Sequence, residues 1–110
     1  MLPEKFRLKI GQSNYRNWVG KKEVYTPLFK LIYRKKVSRS DTKIGFVVTG
    51  KIGKATKRNK IRRWLSEVVK DSIERFPKGT EAVFIVSIPK EEITYEKIVD
   101  WVDKILPRIY

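Results

Sequence analysis

The sequence predicts a single α+β domain, an α/β sandwich of order α-β-β-α-β-α with room for one further short strand near the start. Three observations predict it. One long stretch repeats its apolar residues at helical spacing: Ile61, Trp64, Leu65, Val68, Val69 and Phe76, the buried stripe of an amphipathic helix. Strand-like runs lie on either side of it, Ile44-Gly-Phe-Val-Val-Thr49 before and Ala82-Val-Phe-Ile-Val-Ser87 after. A second helical stripe, Tyr95, Ile98, Val99, Val102, Ile105 and Leu106, closes the chain.

The elements follow in order. Leu2 to Gly11 reads as extended or irregular. Ser13 or Asn14 is placed to cap a short helix that holds Tyr15 and Trp18 and ends at Gly20. Thr26 to Arg34 is rich in strand formers. Lys35 to Thr42 carries Ser, Arg and Asp and reads as a turn, so this strand and the one at residues 44–49 are expected to be antiparallel neighbours. Gly50 and Gly53 punctuate the chain before the long helix, expected over about residues 54–75 and stopped by Pro77 and Gly79. The run Ala82–Ser87 is apolar nearly throughout, which suits a central strand buried on both faces. Trp64 and Trp101 sit at the edges of their stripes and read as packing residues.

At 110 residues, one domain spanning 1–110 is the expected organisation. A 41% hydrophobic content with 12% aromatics supplies a core that a disordered basic tail would lack. The chain has no cysteine, which removes disulfides and thiolate chemistry, and no histidine, the commonest general base. No apolar run approaches the ~20 residues that span a membrane. A reducing, cytoplasmic setting without membrane attachment is therefore expected.

Charge is the most informative property. Of 26 Lys+Arg and 12 Asp+Glu, residues 1–70 hold 20 and 4, and residues 71–110 hold 6 and 8. The net +14 therefore belongs to one part of the fold, as a binding face for a polyanion requires. Seven cations crowd the front of the long helix: Lys51, Lys54, Lys57, Arg58, Lys60, Arg62 and Arg63, with Lys70 just beyond. A helix N-terminus is the positive end of its dipole and favours acids. This one carries cations and no acid in its first turn. At ~100° per residue, Asn59, Arg62, Arg63, Ser66 and Lys70 lie opposite the apolar stripe, and Arg58 lies near its edge.

The run Gly53-Lys-Ala-Thr-Lys-Arg-Asn-Lys-Ile-Arg-Arg63 resembles the hallmark of the protein component of bacterial ribonuclease P. Lys51, Gly53, Lys54, Ala55, Arg58, Asn59, Arg62, Arg63 and Glu67 fall in register with it. The resemblance extends to Leu2-Pro3, Arg7-Leu8-Lys9, Asn14-Tyr15 through Trp18 and Gly20, Leu31-Ile32-Tyr33, and Ile44–Val48. The chain departs from the pattern at Gly50, where Lys is frequent, and at Ser66, where Arg is usual.

The resemblance implies a sandwich with a left-handed βαβ crossover, similar to the second domain of a small-subunit ribosomal protein. It implies the noncatalytic protein subunit of a ribonucleoprotein endonuclease, which removes the 5′ leader of precursor tRNA. Lys51, Lys54, Lys57, Arg58, Asn59, Lys60, Arg62 and Arg63 would bind the catalytic RNA, with Asn59 placed to tie the preceding loop to the helix. Tyr15, Trp18, Lys30 and Tyr33 would line a cleft for the leader, aromatics stacking on bases, and Lys30 or Lys57 contacting phosphates; the alternative for the aromatics, evenly weighted for Trp18, is packing in the core. The partners implied are the catalytic RNA and precursor tRNA, not DNA. No cofactor is expected on protein side chains, and magnesium would be held through the RNA.

Other classes remain on the sequence alone. A ribosomal or general structural RNA-binding protein shares the composition but not the Arg58-Asn59 register. A DNA-binding regulator would need a helix-turn-helix pair that the pattern lacks. A stand-alone nuclease would need histidines or gathered carboxylates, whereas Glu4, Glu23, Asp41 and Glu67 are scattered and Glu91, Glu92, Glu96, Asp100 and Asp103 mostly fall on the solvated side of the last helix.

Overall fold

The computed structural model describes residues 2–35 and 42–109. Strands β1 (Lys22–Tyr25), β2 (Lys30–Lys35), β3 (Lys43–Val48) and β4 (Thr80–Val86) form one sheet in the order β1-β2-β4-β3. Three helices accompany it: α1 (Ile10–Ser13), α2 (Ala55–Ser72) and α3 (Tyr95–Ile105). The result is the expected α+β sandwich.

β4 is the central strand, as its apolar run predicted. It pairs antiparallel with β2 and parallel with β3. The expected pairing of β2 with β3 does not occur, because β4 lies between them. The cause is α2, which carries the chain back over the sheet so that β4 enters parallel to β3 in a βαβ unit. The turn expected at Lys35–Thr42 lies mostly outside the described residues. The partner on the other side of β2 is β1, an antiparallel edge strand in which Glu23 faces Ile32 and Tyr25 faces Lys30. The strand expected from Thr26 therefore begins later. Thr26 instead closes a turn, its hydroxyl accepting from the Leu28 and Phe29 amides at 3.2 and 2.9 Å.

Strand parity divides the sheet into two faces. Leu31, Tyr33, Ile44, Ala82, Phe84 and Val86 point toward α2 and α3 and form the main core with Ile61, Leu65, Val68, Ile98 and Val102. Burying one such aliphatic side chain contributes about 1.5–3 kcal/mol. On the other face Ile32 and Val83 pack with Tyr15 and Trp18, supported by Leu8, Ile10, Val47 and Ile85. This second layer comes from the N-terminal segment. It adds one strand-like contact, a parallel bridge from Arg7 to Ile44 along the β3 edge. Gly45 makes that approach feasible, since a methyl there would run into the Ile10 side chain.

The short helix expected after Ser13 or Asn14 is present only as a 3₁₀ turn, and a separate turn of α-helix precedes it, beginning in the stretch expected to be irregular. α1 ends at Ser13, Asn14 adopts the left-handed conformation at φ 50°, and Tyr15–Asn17 form a separate 3₁₀ turn. Asparagine is among the few residues that enter this region readily.

Candidate nucleic-acid interface

The two long helices begin differently. α3 starts on Thr94, whose hydroxyl accepts from the Lys97 amide at 3.2 Å, and has Glu96 in its first turn. This is the ordinary way to satisfy an N-terminus, worth about 1 kcal/mol. α2 starts on Lys54, with no side-chain cap and no acid in the first turn. Its leading amides and dipole thus face outward among lysines. Gly53 sets the entry angle at φ 133° and ψ −145°, backbone that residues with a Cβ rarely adopt.

The structure divides the predicted cluster along the flanks of α2. Lys57 and Lys60 fall on one side with Trp64. There they line a groove of about 400 Å³ with Lys51 from the preceding 3₁₀ turn and with Glu91 and Glu92 across the way. Lys60 lies 4.9 Å from the centroid of Trp64, which meets Tyr95 edge-on. Asn59, Arg62 and Arg63 fall on the opposite side and line a second groove, of about 470 Å³, with Arg7, Leu8, Ile10 and Phe46. Lys54 stands exposed at the helix start between them.

Asn59 does not tie the loop to the helix. Its Oδ1 accepts from Arg62 Nη1 at 3.1 Å, one turn along. Arg58 lies at the edge of the apolar stripe, as its position in the helix predicts. Its Nε is buried and has no hydrogen-bond partner among the described residues, an arrangement that costs about 1–3 kcal/mol.

The residues expected to line a leader cleft do not share one surface. Tyr15 and Trp18 lie on the sheet face opposite α2, meeting edge-on at 6.4 Å. Trp18 is buried, its indole N–H donating to the Ser13 carbonyl at 2.8 Å. Tyr15 is also buried but lines a third groove, of about 540 Å³, with Asn14, Arg16, Asn17 and Val47. Lys30 lies on the same sheet face by strand parity. Tyr33 does not: its ring is in the main core and its hydroxyl donates to the Arg108 carbonyl at 3.1 Å.

Lys30 already has protein partners. Its ammonium bonds Glu23 at 2.7 Å and lies 5.3 Å from the Tyr25 ring centroid. The hydrogen bond from Lys30 holds the Glu23 carboxyl below its usual range, and the same bond raises Lys30. Tyr25 is 65% exposed on this face. The sequence reading missed it, along with Arg7 and Arg16. Its signal was the alternation Lys22-Glu-Val-Tyr25, in which Val24 turns inward and Tyr25 outward.

The ribonuclease P family model matches residues 2–110. The chain belongs to that family. Among relatives described as ribonuclease P protein component, that of Thermotoga maritima is 33% identical over 97 residues, covering 86% of this chain and 80% of the relative. That of Finegoldia magna is 41% identical over 61 residues, covering 56% of this chain and 54% of the relative. The solved ribonuclease P protein of Thermotoga maritima superimposes with a TM-score of 0.79 at 27% identity, covering 94% of this chain and 97% of that one. The Staphylococcus aureus protein shares the fold, with a TM-score of 0.80 at 21% identity and coverage of 94% of each chain. The α+β sheet-and-helix architecture is thus that of bacterial ribonuclease P proteins. Among the described residues no helix is long and apolar enough to cross a membrane.

Proposed function

We propose that this chain is the noncatalytic protein subunit of a ribonuclease P, binding the catalytic RNA and the 5′ leader of precursor tRNA so that RNA-borne chemistry releases the mature 5′ end. The observation that carries the reading is the start of α2: an uncapped, acid-free N-terminus ringed by Lys51, Lys54 and Lys57 and followed by Arg58, Arg62 and Arg63. In an isolated protein this arrangement is unfavourable. Against RNA phosphates it becomes favourable, since backbone amides, the helix dipole and guanidinium forks all suit phosphate oxygens.

In this reading the flanks of α2 engage the catalytic RNA. The opposite sheet face, with Tyr15, Tyr25, Lys30 and Arg16, receives the leader. An exposed tyrosine beside a lysine offers a stacking surface and a phosphate contact together. Neutralising phosphates also relieves repulsion between two polyanions. The chain has no histidine to act as general base, and magnesium would be held by RNA phosphates, in a cytoplasmic setting.

The test is salt dependence. Arg62→Ala with Arg63→Ala should weaken binding to a bacterial ribonuclease P RNA. Each lost phosphate contact should lower the log–log salt slope by ~1. An unchanged slope removes this flank of α2 from the RNA site.

A further inference from the structure

We propose that the groove between α2 and the N-terminal segment receives one unstacked nucleobase of the partner RNA, with its flanking phosphates on the arginine rim. The inference rests on the RNA-binding reading above and assigns a ligand to one part of that surface. A site for phosphates alone needs only an open cationic surface. This groove is instead a concavity of about 470 Å³, within the roughly 300–1,000 Å³ typical of small-ligand clefts. Leu8, Ile10 and Phe46 give it an apolar lining. The Phe46 ring is held against Phe84, 5.7 Å away and inclined to it by 29°, yet stays only half-buried.

The rim is built for an anion with a polar edge. Arg7, Arg62 and Arg63 line it, and no Asp or Glu does among the described residues. The groove on the other flank differs, since Glu91 and Glu92 line it. Arg7 is fixed by its Nε, which donates to the Leu2 carbonyl at 2.7 Å. Arg62 occupies Asn59 Oδ1, which leaves the Asn59 amide as a donor toward a carbonyl or ring nitrogen of a base. Ser66, one turn beyond Arg62, lines the wall with a small side chain. That leaves room for a planar group. Bases splayed out of RNA are recognised by this combination of apolar contact, edge hydrogen bonds and charged rims.

Ser66→Arg separates this proposal from simple charge attraction. The substitution adds a cation but fills the groove. If a base enters, affinity for a bacterial ribonuclease P RNA should fall about ten-fold despite the added charge. Equal or tighter binding by Ser66→Arg would overturn the proposal while leaving the RNA-binding reading intact. Failure of the unaltered protein to bind the RNA would overturn both. A second measurement needs no variant: adenosine 5′-monophosphate should shift the amide resonances of Gly45, Phe46 and Ser66, and ribose 5-phosphate should not. Equal shifts from both ligands would mark the groove as a phosphate site and overturn the base assignment.

Discussion

The Arg34 guanidinium lies 4.5 Å from the centroid of the Trp18 ring while its Nε and Nη2 bond Glu81 Oε1, both at 2.8 Å. One side chain thus joins strand β2, the central strand β4 and the N-terminal layer. Glu81 is 8% exposed, so the carboxylate is largely removed from solvent, while Arg34 stays partly exposed. Trp18 is held by its Ser13 bond on one edge and by Arg34 over its ring. Tyr15, which lines the third groove, meets Trp18 edge-on.

Arg34→Met keeps the stem but removes the guanidinium. It should destabilise the protein by about 1–3 kcal/mol, the cost of depriving a mostly buried carboxylate of a charged partner. Urea denaturation measures the loss, and tryptophan fluorescence should report a more exposed Trp18. A change under about 0.5 kcal/mol, the usual range for surface substitutions, would show that the pair does not fix the N-terminal layer.

Gly45→Ala tests the contact between that layer and the sheet. The new methyl meets Ile10 and the Leu8 Cβ, the latter at 3.3 Å. Overpacking of this kind costs about 1–3 kcal/mol. Hydrogen exchange gives the sharper readout, because the Leu8 amide donates to the Ile44 carbonyl at 3.0 Å. That amide should lose protection in the variant while the amides of β4 keep theirs. Uniform loss across the sheet would mean that the segment is not displaced locally.

Arg58 should trade stability against binding. Arg58→Met removes the unpartnered Nε and keeps an apolar stem against the core. The protein should be as stable as before, or more stable by about 1 kcal/mol, while RNA affinity falls. A large loss of stability would show that the guanidinium is satisfied in a way the geometry does not reveal.

Glu23 should titrate below the usual carboxylate range because Lys30 donates to it. A folded-state value that is depressed means the contribution to stability is present above the unfolded pKa and is lost as pH falls through the folded one. Carboxyl chemical shifts would follow this directly. In Lys30→Ala the titration should move back toward the ordinary range. An unmoved midpoint would assign the depression to something other than Lys30.

Much of this architecture was legible in the sequence, for identifiable reasons. The α2 stripe from Ile61 to Val69 is long and strongly periodic, so both helix and buried face were readable. β4 was readable because a doubly buried strand is apolar at nearly every position. Sheet order was not, since β4 comes between β2 and β3 only through long-range pairing that leaves no local mark. The core placement of Tyr33 was hard to read for a related reason. Leu31, Ile32 and Tyr33 are all buried, so β2 offers no polar alternation to tell its faces apart, and a shift of one residue moves a side chain to the other face. The break at Asn14 did have a signal in its residue type. At the candidate interface, the grouping of cations on α2 was readable from 100° spacing. The division into a lysine flank and an arginine flank was not, because Arg7 and Phe46 come from distant segments.

The most direct measurement is cleavage of precursor tRNA at low magnesium by a bacterial ribonuclease P RNA, with and without this protein. The protein alone should be inert, and its addition should restore cleavage at the mature 5′ end. Cleavage by the protein alone, or binding without any rescue across several RNA types, would contradict the assignment of a noncatalytic ribonuclease P subunit.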